Sequence, residues 1–180
     1  MSRLAIHDPA IRHFCTFQVE HRLYGISLSE VREVSTGLAI TPVPHSPPAI
    51  RGLANLRSRI YLVLDLRPIL GYAPADCTQE SRLVILRPGI AESTAILVDC
   101  GGRIVSVPEG SIESVGGSTP GTTADADVPP HFVTGVCKLE TELLMVVGSR
   151  LLVDHVRSLP AYGVLDRPGR EINPRAGGVA

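Results

Sequence analysis

The chain has 180 residues, 44 % of them apolar and 19 % charged, and a net charge of −1. That is enough for one domain, or two small ones sharing a core, and buries about 70 % of the unfolded surface without help from disulfides or metal. The near-neutral balance argues against a nucleic-acid binder and against a disordered chain. Residues 1–12 carry neither a helix nor a strand period and read as a flexible tail, with no apolar stretch of the kind a signal peptide needs. Residues 14–20 and 23–28 read as a hairpin turned by His21-Arg22, in which Tyr24, Ile26 and Leu28 alternate with Gly25 and Ser27. Further strands are expected at 53–56, 60–64, 82–87, 94–99, 103–107, 132–139 and 142–147. The run Tyr61-Leu62-Val63-Leu64 is apolar on both faces and should be buried on both. A short helix is expected at 65–71, with Asp65 at the cap, Pro68 in the first turn and Gly71 past the end, and another at 149–156. Residues 158–180 read as a second flexible tail. The class is all-β, a small barrel or sandwich.

An internal repeat refines this. Residues 52–64 align without gaps on 135–147. Each copy reads as a glycine, a strand, a polar turn, an apolar strand and then a short helix. A weaker echo sets Gly25-Ile26-Ser27-Leu28 against Ala95-Ile96-Leu97-Val98. The extra length between the two echoes falls in residues 116–123, a loop by composition. Two copies of one supersecondary unit predict two similar small barrels packed together.

The chemistry of an enzyme is missing. No phosphate-binding glycine loop, dinucleotide fingerprint or nucleophile elbow occurs, and the pairs Gly101-Gly102 and Gly116-Gly117 read as turns or bulges. Asp125 and Asp127 sit in a polar loop without the other ligands of a calcium site. His45 and His131 have no acidic or nucleophilic neighbour in sequence. Cys15, Cys77, Cys100 and Cys137 form no metal-binding spacing, and three of them lie in apolar runs, so they read as reduced structural thiols of a cytosolic protein. No apolar run reaches the ~20 residues of a membrane helix. Neither cofactor nor metal is expected. Lys138 is the one lysine among 17 basic residues, an imbalance that arginine-rich coding bias accounts for.

The order of several short motifs carries more. Tyr24-Gly25-Ile26, Val31-Arg32-Glu33-Val34, Ile40-Thr41-Pro42-Val43-Pro44, Ile50-Arg51-Gly52, Asn55-Leu56-Arg57 and Val63-Leu64-Asp65-Leu66-Arg67 follow one another in the first half. Ile96-Leu97-Val98-Asp99, Pro108, Ser111-Ile112-Glu113 and Val133-Thr134-Gly135-Val136 follow in the second. This set resembles the CheW-like family of bacterial chemosensory adaptors over about residues 14–156. The resemblance implies two intertwined, SH3-like five-stranded β-barrels over residues 13–157, with an apolar groove between them. It implies a non-enzymatic, cytoplasmic adaptor that links the tip of a chemoreceptor to the regulatory domain of the histidine kinase CheA at membrane-associated arrays.

It also implies site residues. Arg57 and Asn55 match the family's Asn-Leu-Arg-Gly motif and Glu33 its Val-x-Glu motif, both facing the receptor. An arginine fork at a hairpin tip can pair with Glu33 and keep donors for a partner helix. Val31, Val34, Ile50 and Leu53 are expected either as the apolar floor under that helix or as barrel core, two roles that look alike in sequence. Thr41, Val43 and Gly52 are carried over as the kinase surface, Gly52 as a residue that allows close backbone approach. Three departures stand out: Ser58 where the family usually has glycine, Leu62 where proline is common, and Gly101-Gly102 where larger residues are usual. Ser58 implies a different turn or accepted strain, and Gly101-Gly102 a looser barrel edge. Together they point to a divergent system with a non-flagellar output, or to an unrelated partner for the same fold.

Overall fold

The computed structural model describes residues 10–36, 39–115 and 130–159. Every strand expected from alternation forms, with bounds shifted by at most three residues: β1 (Ile11–Val19), β2 (Arg22–Ser27), β5 (Ile50–Leu56), β6 (Arg59–Asp65), β7 (Arg82–Leu86), β8 (Thr94–Val98), β9 (Cys100–Pro108), β11 (Val133–Lys138) and β12 (Leu143–Val147). Three more were not expected: β3 (Val31–Ser35), β4 (Ile40–Thr41) and β10 (Ile112–Ser114). Each is short, and β4 and β10 contribute no fully buried side chain. Both expected helices form, α1 (Leu66–Ile69) and α2 (Ser149–Ser158). The first hairpin turns on Glu20-His21 rather than His21-Arg22, because Val19 pairs with Arg22. β1 also starts inside the segment expected as a tail. α2 likewise ends on Ser158, the first residue of the segment expected as the second tail. Tail residues 1–9 and 160–180, the 116–123 loop and Asp125 and Asp127 lie outside the described residues, Val115 and Pro130 being the ones that flank the loop.

The strands build two sheets, ordered β10-β11-β12-β2-β1-β9 and β4-β5-β6-β8-β7-β3. Each has six strands against the five expected, the additional pairings being short edge strands. Exchanging β1–β6 for β7–β12 turns one order into the other, so the fold has a pseudo-twofold. Hairpin β1–β2, from the first half of the chain, inserts between β12 and β9 of the second half. Hairpin β7–β8 inserts in return between β6 and β3. The two parallel seams keep the same register: Val146 lies beside Gly25 and Val63 beside Ala95. The weak echo seen in the sequence is therefore a true structural equivalence.

This exchange explains the apolar runs. Along β7 and β8, Leu83, Ile85, Ala95 and Leu97 fill one barrel, while Val84, Leu86, Ile96 and Val98 turn into a core shared by both halves. All five residues of β8 are buried, a strand covered on both faces. The other barrel is filled by Phe14, Leu23, Cys137 and Leu144, and Phe17, Ile26, Phe132 and Leu152 join the shared core. Each such side chain contributes about 1.5–3 kcal/mol by leaving water. Cys15 and Cys137 are buried as expected of structural thiols, but Cys100 is half-exposed, its thiol donating to Gln18, and Cys77 is exposed.

Two arginines fasten the inserted hairpins. Arg67 of α1 binds Asp99 through Nε and Nη2, at 2.7 and 2.8 Å, and Glu20 in the β1–β2 turn through Nη1 at 2.5 Å. The Glu20 amide donates to the same Asp99 carboxylate at 2.7 Å. Arg150 of α2 holds the equivalent place, but reaches only the Gly89 carbonyl beyond β7, at 2.7 Å. Two departures from the family pattern also find their use. The Leu62 amide donates to the Ser93 carbonyl at 2.8 Å, a bond proline could not make. Gly101 fills a bulge where β9 shifts register against Thr16 and Phe17, and a Cβ there would sit 2.4 Å from the Phe17 Cα. The glycine pair tightens that contact instead of loosening the edge.

Candidate functional site

The β5–β6 hairpin pairs Leu56 with Arg59, leaving Arg57-Ser58 as a two-residue turn. Both residues have positive φ, 50° and 64°. That is the primed hairpin turn, for which Asn-Gly is favoured because each left-handed residue with a Cβ costs about 1 kcal/mol or more. Strain is therefore accepted at Ser58, one of the two outcomes expected, and it fixes the backbone from which Arg57 projects. Ser58→Gly should relieve it. We expect a gain of about 0.5–1 kcal/mol in urea denaturation, and no gain would show that the serine is at ease there.

Arg57 is 79 % exposed, and its Nη1 lies 3.5 Å from the Glu33 Oε2 on β3. At that distance the pair is a loose ion contact worth under about 1 kcal/mol, and the guanidinium keeps its hydrogen-bonding capacity for something else. Arg32 on the same strand donates to the Tyr61 hydroxyl of β6 at 3.3 Å, holding β3 against the hairpin. Half-buried Val34 packs on the shared core, and across from it lies Gly102 of β9, where a Cβ would meet Val34 Cγ1 at 3.4 Å. Glu33, Val34 and Gly102 thus line the seam between the two halves, with Arg57 at its rim. Gly102 was not among the expected site residues. Its signal in the sequence was the glycine pair itself, read there as a turn or bulge and as a loosened edge, of which the bulge is present.

A second face adjoins the first. Leu53 is paired with Leu62 on one side and Thr41 on the other, and Asn55 is opposite Ile60. Leu53 and Ile60 are 38 % and 62 % exposed, an apolar surface flanked by exposed Asn55 and Thr41. Ile60 was also overlooked, because its run reads as apolar on both faces.

Three expected site residues lie inside. Val31 and Ile50 are 5 % and 4 % exposed and belong to the shared core, so they do not form an open floor. The reason is cross-strand pairing: the first residue of each strand turns inward, Val31 opposite Leu86 of the inserted β7 and Ile50 opposite Leu64 of β6, both residues of the shared core. Gly52 is buried with φ +147°, and a Cβ would come 2.2 Å from the Thr41 carbonyl oxygen. It admits β4 to its place and offers no contact surface. Val43 is half-buried and its carbonyl accepts the Ser46 amide and hydroxyl. Among the described residues no group of His, Cys, Asp or Glu could hold a metal ion, and no helix is long and apolar enough to cross a membrane.

The comparisons agree with this geometry. A family model described as the CheW-like domain matches residues 13–157. The chain is 30 % identical to the chemotaxis protein CheW of Bacillus subtilis, covering 81 % of this chain and 88 % of that one. It is 24 % identical to a probable chemotaxis protein CheW of Rhizobium etli, with 82 % and 90 % covered. The crystal structure of the scaffolding protein TtCheW from Thermoanaerobacter tengcongensis superposes with a TM-score of 0.68 at 26 % identity, over 79 % of this chain and 92 % of that one. The chain belongs to the CheW-like family of chemotaxis scaffold proteins, which act by binding other proteins and not by catalysis.

Proposed function

We propose that this scaffold joins the cytoplasmic tip of a chemoreceptor to the regulatory domain of the histidine kinase CheA, in the cytoplasm beside membrane-bound receptor arrays. The observation that carries the reading is Arg57, held on a strained turn beside the seam, loosely paired to Glu33 and free to bond a partner. A receptor helix lies along the seam on Val34 and Gly102, with Arg57 and Asn55 reading its polar side and Leu53 an apolar one. Val31 and Ile50 support that surface from beneath. The kinase meets the β4 side, at Thr41 and Val43, where Gly52 sets the position of β4.

Arg57→Asp tests it. Affinity for a receptor cytoplasmic fragment should fall about tenfold or more, because a desolvated arginine contact is replaced by repulsion. The thermal midpoint should move by no more than about 2 °C, as the side chain is mostly in water. Equal loss of binding and fold would make Arg57 structural, and unchanged affinity would remove it from the interface. Ser58 and Leu62 favour a second reading, the same scaffold in a non-flagellar pathway or with an unrelated partner. Absence of any ternary complex with cognate receptor and kinase would select it.

A further inference from the structure

A cleft of about 530 Å³ opens beside β4 and is distinct from the seam. Ile40, Pro42, Pro47 and Pro48 wall it, and Arg51 and Asp65 bring charge into it. Four of the ten lining residues are prolines, Pro42, Pro47, Pro48 and Pro74, so much of the shape is set before anything binds. The Asp65 side chain is only 3 % exposed. Its Oδ1 caps α1 by accepting the Arg67 amide at 3.1 Å. Its Oδ2 accepts no hydrogen bond among the described residues, and the nearest cation, Arg51 Nη1, is 3.7 Å away. Arg51 likewise donates no hydrogen bond among the described residues, its other acidic neighbour being the exposed Asp76 at 4.0 Å. Burial pushes the Asp65 carboxyl above its ordinary range, against the pull of the Arg67 amide and of Arg51.

A buried acceptor and a donor fork therefore stand side by side in an apolar cleft, each incompletely bonded. A matching occupant replaces solvent at both groups with directed hydrogen bonds. A cationic occupant would meet Arg51 and an anionic one Asp65. A neutral group with a donor and an acceptor side by side satisfies both, and a primary carboxamide has that pattern: its oxygen accepts from Arg51 while its nitrogen donates to Asp65. We infer that the cleft receives an Asn or Gln side chain carried on a loop of a partner protein. The cleft runs along β4, an edge strand of its sheet, and exposed Thr41 continues the surface outward. A protein docked on that edge covers the cleft mouth. The identity of the partner rests on the function proposed above: it is the regulatory domain of the kinase.

Cys77 lines the cleft and is exposed, while Cys15 and Cys137 are buried. Alkylation of each cysteine by iodoacetamide, followed by mass spectrometry with Cys100 as the internal reference, therefore reports occupancy in the unaltered chain. With the kinase regulatory domain at saturation, Cys77 should react at least about fivefold more slowly relative to Cys100. Arg51→Met should weaken the complex about tenfold, more than the modest fall in thermal midpoint from removing the cation nearest Asp65 accounts for, and Arg51→Lys should restore the midpoint but little of the binding, since it lacks the planar fork. An alanine scan of the surface Asn and Gln residues of the kinase domain should find one whose effect is not additive with Arg51→Met. A complex that forms with Cys77 still fully reactive overturns the inference and leaves the adaptor role standing. Protection of Cys77 without a coupled Asn or Gln overturns the carboxamide. Failure of the kinase domain to bind at all removes the proposed partner, and this inference with it.

Discussion

Gly52→Ala is expected to destabilise the protein by about 3–5 kcal/mol, a large share of the 5–15 kcal/mol typical of a whole domain. Two costs add. The residue sits at φ +147°, where a side chain is strained by about 1–3 kcal/mol. The new methyl would also press on the Thr41 carbonyl oxygen from 2.2 Å, and on its carbon from 2.8 Å, so that backbone and not a flexible side chain must yield. Urea denaturation followed by circular dichroism measures the loss. A midpoint equal to that of the unaltered chain would mean that β4 leaves β5 in solution, and the edge proposed to meet the kinase would then need redrawing. Because Gly52 is buried, a binding defect in such a variant should scale with lost fold and not precede it.

The second large effect is at Arg67. Arg67→Met keeps the aliphatic stem but removes the guanidinium that binds Asp99 through two nitrogens and Glu20 through a third. The side chains are 20 %, 27 % and 34 % exposed, so the loss is smaller than for a fully buried pair, about 2–3 kcal/mol. Most of it comes from leaving two carboxylates close together without a counter-charge. Arg67→Lys should recover less than half, since an ammonium cannot grip Asp99 with two parallel bonds. Hydrogen exchange should locate the damage at the β1–β2 turn and the start of β9. Uniform loss of protection over the whole molecule would show that the latch is part of the global core. The equivalent change at Arg150 removes one bond to a carbonyl and should cost about 1 kcal/mol.

What the sequence disclosed follows from what is local in the physics. A hairpin of alternating residues around a polar turn is written in one stretch, so both copies of the repeat and both helix starts were legible, including Asp65 as a cap. β3, β4 and β10 were not, because edge strands of two to five residues carry too few side chains to show a period. Strand exchange was legible only by resemblance: nothing in residues 11–27 names partners that lie some eighty or more positions away. Cross-strand pairing decided the fate of two site residues. Val31 and Ile50 look like groove residues and core residues equally well, and only their pairing with Leu86 of β7 and Leu64 of β6 puts them inside. Arg57 and Glu33 were found through their motifs, and the left-handed turn was foreseen as a conflict at Ser58. The polar lining of the cleft was hidden, since Arg51 and Asp65 converge through pairing of β5 with β6.

Hairpin β1–β2 leaves the ribosome before the other described strands, yet its sheet partners are β9 and β12. The sheet built from β3 to β8 can close once residue 98 has emerged, whereas the first hairpin must wait for nearly the whole described chain. At about 5–20 residues per second that is a delay of several seconds, during which the exposed edges of two apolar strands seek any partner. Phe14, Phe17 and Ile26 are then open to solvent, although all become fully buried. The order of synthesis thus makes the earliest segment of this scaffold the last to be sheltered, and gives nascent-chain chaperones their most obvious client in its first strands.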